Sequence, residues 1–190
     1  KHLINEGVDV NPFKIVSAGI DPNTSINEDA LVLYEACNKR FSIQQINPIV
    51  FAPPIAPHIA AKQVGKTINF EQLDKVFDEA SALAKLTLVE GAGGWHLPVN
   101  DEQLLSEWVG KQNMPVILVV AIRLGCLNHA LLTAQAIQSS GCQLIGWVAN
   151  FVDEEPNNVS LENLRYIEAQ FDKRYNASRL FTVLPDQKVV

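Results

Sequence analysis

Short apolar runs alternate along this chain with stretches whose apolar residues recur every three or four positions, and that alternation restricts the fold more than any other feature. Phe13 to Ser17, Leu86 to Val89, Pro115 to Ala121, Leu144 to Ala149 and Leu180 to Leu184 read as strands. Asn27 to Cys37, Leu73 to Ala84, Leu104 to Lys111, Asn128 to Ser139 and Ser160 to Phe171 read as helices. Strands this continuously apolar belong to an α/β fold, a mostly parallel sheet with helices on both faces, and Pro115 to Ala121 is expected to be fully buried. Ligands gather at the carboxyl ends of such strands. Lys1 to Gly7 reads as the tail of a helix that Gly7 closes. The four prolines between Asn47 and Pro57 remove backbone donors and predict an irregular loop on the ligand side.

Composition narrows the function. With 190 residues, 47% of them hydrophobic, the chain has enough apolar material for one domain over residues 1–190. A net charge of −6 without a basic stripe argues against nucleic acid as a partner. Cys37, Cys126 and Cys142 form no C-x-x-C pair, so neither a disulfide framework nor a zinc site is predicted and a cytoplasmic setting is expected. The longest apolar run, Val116 to Ile122, is far shorter than the roughly 20 residues a membrane helix needs.

The informative strand ends are Ala18-Gly19, Glu90 to Trp95, Ile122 to Asn128 and Asn150. Glu90 stands where an apolar strand meets Gly91-Ala92-Gly93-Gly94, which aims a carboxylate and accessible backbone N–H groups at one place and suits a magnesium ion and phosphate. An ordinary exposed glutamate at a tight turn is the plainer alternative. Lys14 interrupts an apolar strand, as a snorkelling edge residue or as a point charge for an anion. Asp29 lies inside a predicted helix, where a solvated carboxylate is commoner than a metal ligand. Leu124 to Asn128 carries a strand into a helix through Gly125, offering helix-start N–H groups to an anion. Gly65-Lys66-Thr67 imitates the end of a phosphate-binding loop, but Ala60 replaces the first glycine and no strand precedes it. His58, His96 and His129 lack ligand spacing, and no G-x-S-x-G elbow supports a hydrolase.

Taken together, Phe13 to Val16, Asn27 to Leu31, Pro57 to Ile59, Val89 to Trp95, Leu124 to Gln135 and Gly146 to Asn150 resemble the dethiobiotin synthetase family in order and spacing over nearly the whole chain. The resemblance implies a P-loop NTPase-like fold and an ATP- and Mg²⁺-dependent closure of a ureido ring from 7,8-diaminopelargonate and CO₂. By position, it gives Lys14 the carbamate and phosphate charge, Asp29 and Glu90 the magnesium, and Glu90, Gly91, Ala92, Gly93 and Gly94 the reacting phosphate. Asn150 and Pro185 fall at the adenine, and Ser17, Gly125, Cys126, Leu127 and Asn128 at the substrate. It also implies a homodimer with shared sites. The family opens with a strand, a phosphate loop and a helix, of which only the helix end is expected here, so residues 1–190 alone are expected to bind ATP poorly. A further departure is Ile15, Ser17 and Ala18 where the family has a proline and places a serine just before Gly19. The alternative is an inactive binding or scaffold protein built on the same fold.

Overall fold

In a computed structural model, which describes residues 1–151, 156–185 and 189, the chain divides into two compact units, Lys1–Leu105 and Ser106–Val190. The first opens with α1 (His2–Asn5), closed as expected by Gly7 at φ +78°. The strand that follows is longer than its apolar core suggests and is broken at Ile15 into β1 (Val10–Lys14) and β2 (Val16–Ala18). Next come α2 (Glu28–Ala36), α3 (Ile43–Ile46), β3 (Ile49–Phe51), α4 (Pro57–Gln63), α5 (Phe70–Ser81) and β4 (Leu86–Glu90).

The expectation of an irregular segment from Asn47 to Pro57 is corrected here. Ile49-Val50-Phe51, three residues of high strand preference, pair in parallel with β2, while Pro48, Pro53 and Pro54 flank the strand and Pro57 starts α4. Proline lacks a ladder donor, so it bounds this strand without entering it.

The break at Ile15 has a topological consequence. Before it, β1 pairs in parallel with β4, and after it β2 pairs with β3, so one chain path serves two ladders. Cys37, Phe41 and Ile46 form a core cluster against Ile4, Leu33, Tyr34, Leu83 and Ala84. Asn11, fully buried in β1, donates to the Ala80 carbonyl at 3.0 Å and so ties the end of α5 to the strand. Asp9 accepts from Arg40 and from the Lys85 N–H, and the Arg40 hydrogen bond foremost holds its carboxyl below the usual value.

Helix α6 (Leu105–Lys111) starts at the last residue of the first unit and otherwise lies in the second, which also contains β5 (Val116–Ala121), α7 (Cys126–Ser139), β6 (Leu144–Asn150), α8 (Asn158–Tyr175) and β7 (Arg179–Val183). Its strands form one parallel sheet in the order β5-β6-β7. Trp147 packs edge-to-face on Phe171 at 5.5 Å between centroids, and Ile137, Ala134 and Ile167 are also fully buried. The expected full burial of Pro115 to Ala121 is corrected: β5 forms, but Val119 is 59% and Ile117 40% exposed. Among the described residues β5 is hydrogen-bonded only to β6, and its exposed positions, 117 and 119, lie two apart on one face of the pleat, which is left uncovered. Among those residues no helix is long and apolar enough to cross a membrane.

Gly110 marks the closest approach in this unit, because a Cβ there would collide with the Ser140 carbonyl oxygen. Backbone cannot yield as a flexible side chain does. Gly110→Ala is therefore expected to cost about 1–3 kcal/mol by overpacking, read as a lower denaturant midpoint. An unchanged midpoint would show that α6 is free to shift.

Candidate active site

Lys14 ends β1, and the parallel register sets it beside Glu90, the last residue of β4. Neighbours in register share a face of the sheet, so strand pairing alone brings an ammonium to a carboxylate. Asp29 arrives from the first turn of α2. That turn is fixed by Asn27, whose Oδ1 accepts from the Ala30 N–H at 3.3 Å while its Nδ2 donates to the Gly19 carbonyl at 2.8 Å. The intervening loop is held by Asp21, which accepts the Asn23 and Thr24 N–H groups at 2.9 Å. The Thr24 bond first, then the Asn23 bond, keeps the Asp21 carboxyl below its ordinary value.

These elements meet at one nitrogen. Lys14 Nζ lies 2.7 Å from Asp29 Oδ2, 2.8 Å from Glu90 Oε1 and 2.7 Å from the Gly91 carbonyl oxygen. The ammonium donates to Glu90 and to the Gly91 carbonyl, and Asp29 adds an ion pair. Lys14 is only 4% exposed, and burying an unpaired ion costs several kcal/mol, so the lysine depends on these contacts. The carboxylates differ from it in exposure, with the Asp29 and Glu90 side chains 54% and 49% open to solvent. One buried positive charge thus faces two negative ones that can still take another ligand. Beyond Glu90, Gly91, Gly93 and Gly94 are exposed and Ala92 is half-buried, as a turn that presents backbone to a ligand requires.

Ser17 is placed differently from Lys14. It is 1% exposed, and its hydroxyl donates inward to Asn47 Oδ1 at 2.6 Å. Asn47, which the sequence reading passed over, also donates through Nδ2 to the Lys14 carbonyl at 2.7 Å. Its one sequence signal is a buried-type amide wedged between Ile46 and Pro48.

In the second unit, Asn150 ends β6 opposite Val183 and Ala121, and its carbonyl accepts from the Ile122 N–H at 2.8 Å. Pro185 follows β7 and is half-buried. Helix α7 begins at Cys126, two residues earlier than its apolar pattern suggests, because Gly125 at φ +89° turns the chain directly into it. The Cys126 N–H is already bonded to the Arg123 carbonyl at 3.0 Å, whereas Leu127 and Asn128 occupy a first turn that offers N–H groups no intrahelical acceptor.

Gly65-Lys66-Thr67 lies just past the C-terminal end of α4. Helix carbonyls, the negative pole, point that way, and the Gly65 and Lys66 N–H groups are used on the Lys62 and Ala61 carbonyls. The segment is a helix stop.

No group of three or more His, Cys, Asp or Glu side chains among the described residues could hold a metal ion. Asp29 and Glu90 nevertheless fit magnesium, which is commonly held by one or two carboxylates together with substrate phosphates and water.

A family model described as an AAA domain matches residues 2–189. Over 161 residues the chain is 44% identical to the ATP-dependent dethiobiotin synthetase BioD of Pseudomonas aeruginosa (strain LESB58), covering 83% of this chain and 70% of that protein. The chain belongs to the dethiobiotin synthetase family. The relative of the same name from Pseudoalteromonas translucida is 46% identical over 144 residues, 74% of this chain and 63% of its own. That from Vibrio parahaemolyticus is 38% identical over 180 residues, 94% and 77%. Family membership and the position of the Gly65 segment give a direct expectation: Lys66→Ala leaves the enzyme's affinity for ATP unchanged by titration calorimetry. A marked loss of affinity would make that segment part of the nucleotide site after all.

Proposed function

We propose that Lys14, Asp29, Glu90 and the Gly91–Gly94 turn form the phosphoryl-transfer end of the active site. The chain is that of an ATP-dependent ligase of biotin biosynthesis, and family membership favours this over an inactive scaffold. The observation that supports the placement is the buried Lys14 ammonium between two half-open carboxylates at the end of paired strands.

One amine of 7,8-diaminopelargonate adds to CO₂ and loses a proton, giving a carbamate. A carbamate oxygen takes the γ-phosphoryl group and ADP leaves. The second amine then attacks the carbonyl carbon, phosphate departs with that oxygen, and loss of a proton leaves the ureido ring. Charge accumulates on oxygens throughout, so the protein's part is positioning and electrostatic stabilisation. A magnesium ion held by Asp29 and Glu90 would neutralise charge on the phosphates. Once either carboxylate engages elsewhere, Lys14 has an N–H for a carbamate or phosphoryl oxygen, and its burial keeps that interaction strong. The Gly91–Gly94 backbone would take further phosphate oxygens. Asn150 would read the adenine edge, with Pro185 against its ring.

At the other end of the substrate, the N–H groups of Leu127 and Asn128 suit the diaminopelargonate carboxylate, with Gly125 and Cys126 shaping the turn. Ser17 would act at the substrate through Asn47, since its own hydroxyl is turned inward. The assembly proposed is a homodimer in which the Gly125–Asn128 turn of one subunit completes the site of the other.

In the active enzyme, Lys14→Ala is expected to slow phosphoryl transfer by a factor of about 10²–10³, the usual loss for a group that stabilises developing charge. Glu90→Gln and Asp29→Asn should each lower turnover and raise the Mg²⁺ concentration needed for half-maximal rate. Wild-type turnover in all three would dismiss the placement. The shared site has its own test: co-refolding Lys14→Ala subunits with subunits disrupted at Leu127-Asn128 should restore activity in heterodimers, each of which holds one intact composite site. No recovery despite demonstrated subunit exchange would refute it.

A further inference from the structure

We infer that Asn47 is a positioning residue for Lys14, acting through the backbone break between β1 and β2. The inference rests on the proposed role of Lys14. The strand path changes partners at Ile15, leaving β4 and taking up β3, and Lys14 is the last residue before that change. A backbone that leaves one ladder before joining the next lacks regular partners at the junction, where its polar groups still require satisfaction. On the incoming side the next residue is Pro48, which has no N–H to give.

The Asn47 side chain fills that place. Its Nδ2 donates to the Lys14 carbonyl at 2.7 Å and, more loosely, to the Ile49 carbonyl at 3.4 Å, while its Oδ1 accepts from Ser17 Oγ at 2.6 Å. One amide therefore spans the break, bonded to residue 14 before it and residue 17 after it, and also fastens the start of β3. Asn47 is 4% exposed and Ser17 1%, so water does not compete for these bonds. The side-chain hydrogen bonds of Asn47 go to Ser17, Lys14 and Ile49, and it meets Lys14 only at the main chain. Its effect must pass through the direction in which Lys14 leaves the strand, toward Asp29 Oδ2, Glu90 Oε1 and the Gly91 carbonyl. Ser17 supports the amide by fixing which end faces the Lys14 carbonyl. With a serine donor on one side and carbonyl acceptors on the other, only one amide orientation satisfies all three groups.

The substitution that isolates this role is Asn47→Asp, which keeps the size and the acceptor for Ser17 but sets a carboxylate oxygen against two carbonyls. A shift of about 1 Å in a catalytic group can cost on the order of 10²-fold in rate. Asn47→Asp and Asn47→Ala are therefore expected to lower kcat by about ten- to a hundredfold per folded molecule, with KM for ATP unchanged. Ser17→Ala should have the same signature in smaller degree. Coupling decides between positioning and general damage. In a Lys14→Ala background the Asn47 substitutions should cause little further loss, because the group they aim is already gone. If the losses multiply, or if Asn47 and Ser17 variants keep wild-type kcat while Lys14→Ala is impaired, the positioning role is wrong and the reading of Lys14 survives. If Lys14→Ala itself keeps wild-type kcat, the underlying reading fails instead. Should Asn47→Ala not fold, Asn47→Asp and Ser17→Ala carry the same comparison.

Discussion

A buried ammonium held by three oxygens organises the first unit. Lys14 could not remain 4% exposed without Asp29, Glu90 and the Gly91 carbonyl, and two pieces of local structure deliver them. Glu90 and Gly91 come from the end of β4 through strand register, and Asp29 comes from a helix whose start is set by Asn27. The site is therefore an electrostatic knot between a strand pair and a helix start. The same contacts that stabilise the lysine hold the two carboxylates together, although like charges would otherwise separate.

Much of this was legible in the residues. The short apolar runs and the helical spacing located most elements, among them α2, α5, α7 and α8 and the strands β4 to β7, and they put Glu90 at the end of an apolar strand. Gly65-Lys66-Thr67 was separable from a true phosphate loop because such a loop follows a strand, and the segment does follow a helix. The strand at Ile49–Phe51 was hidden because four prolines lie nearby, while the three residues between them carry the pairing. Exposure along β5 was hidden for another reason. An apolar run records what a side chain prefers, whereas Ile117 and Val119 share a face of the pleat that is left uncovered.

Asn47 and Ser17 show where one-dimensional reading ends. A serine in a strand looks available, yet its alternate position in the pleat turns the hydroxyl into the interior. The amide that receives it lies thirty residues away, and neither residue type alone suggests the other. The bond depends on β2 and β3 being neighbours, a long-range pairing that local periodicity does not encode. The break at Ile15 is similar, since its cause is a change of partner strand that no residue announces.

The central claim is that Lys14 and its two carboxylates are a preassembled receiver for metal-bound phosphate. The most direct measurement is a crystal structure of the enzyme with Mn²⁺ in place of Mg²⁺ and a non-hydrolysable ATP analogue, the ion located by its anomalous scattering. The account predicts Mn²⁺ on Asp29 and Glu90, with the Lys14 ammonium moved from at least one of them onto a phosphate oxygen. An ion bound away from both carboxylates, with Lys14 still paired to each of them, would contradict it.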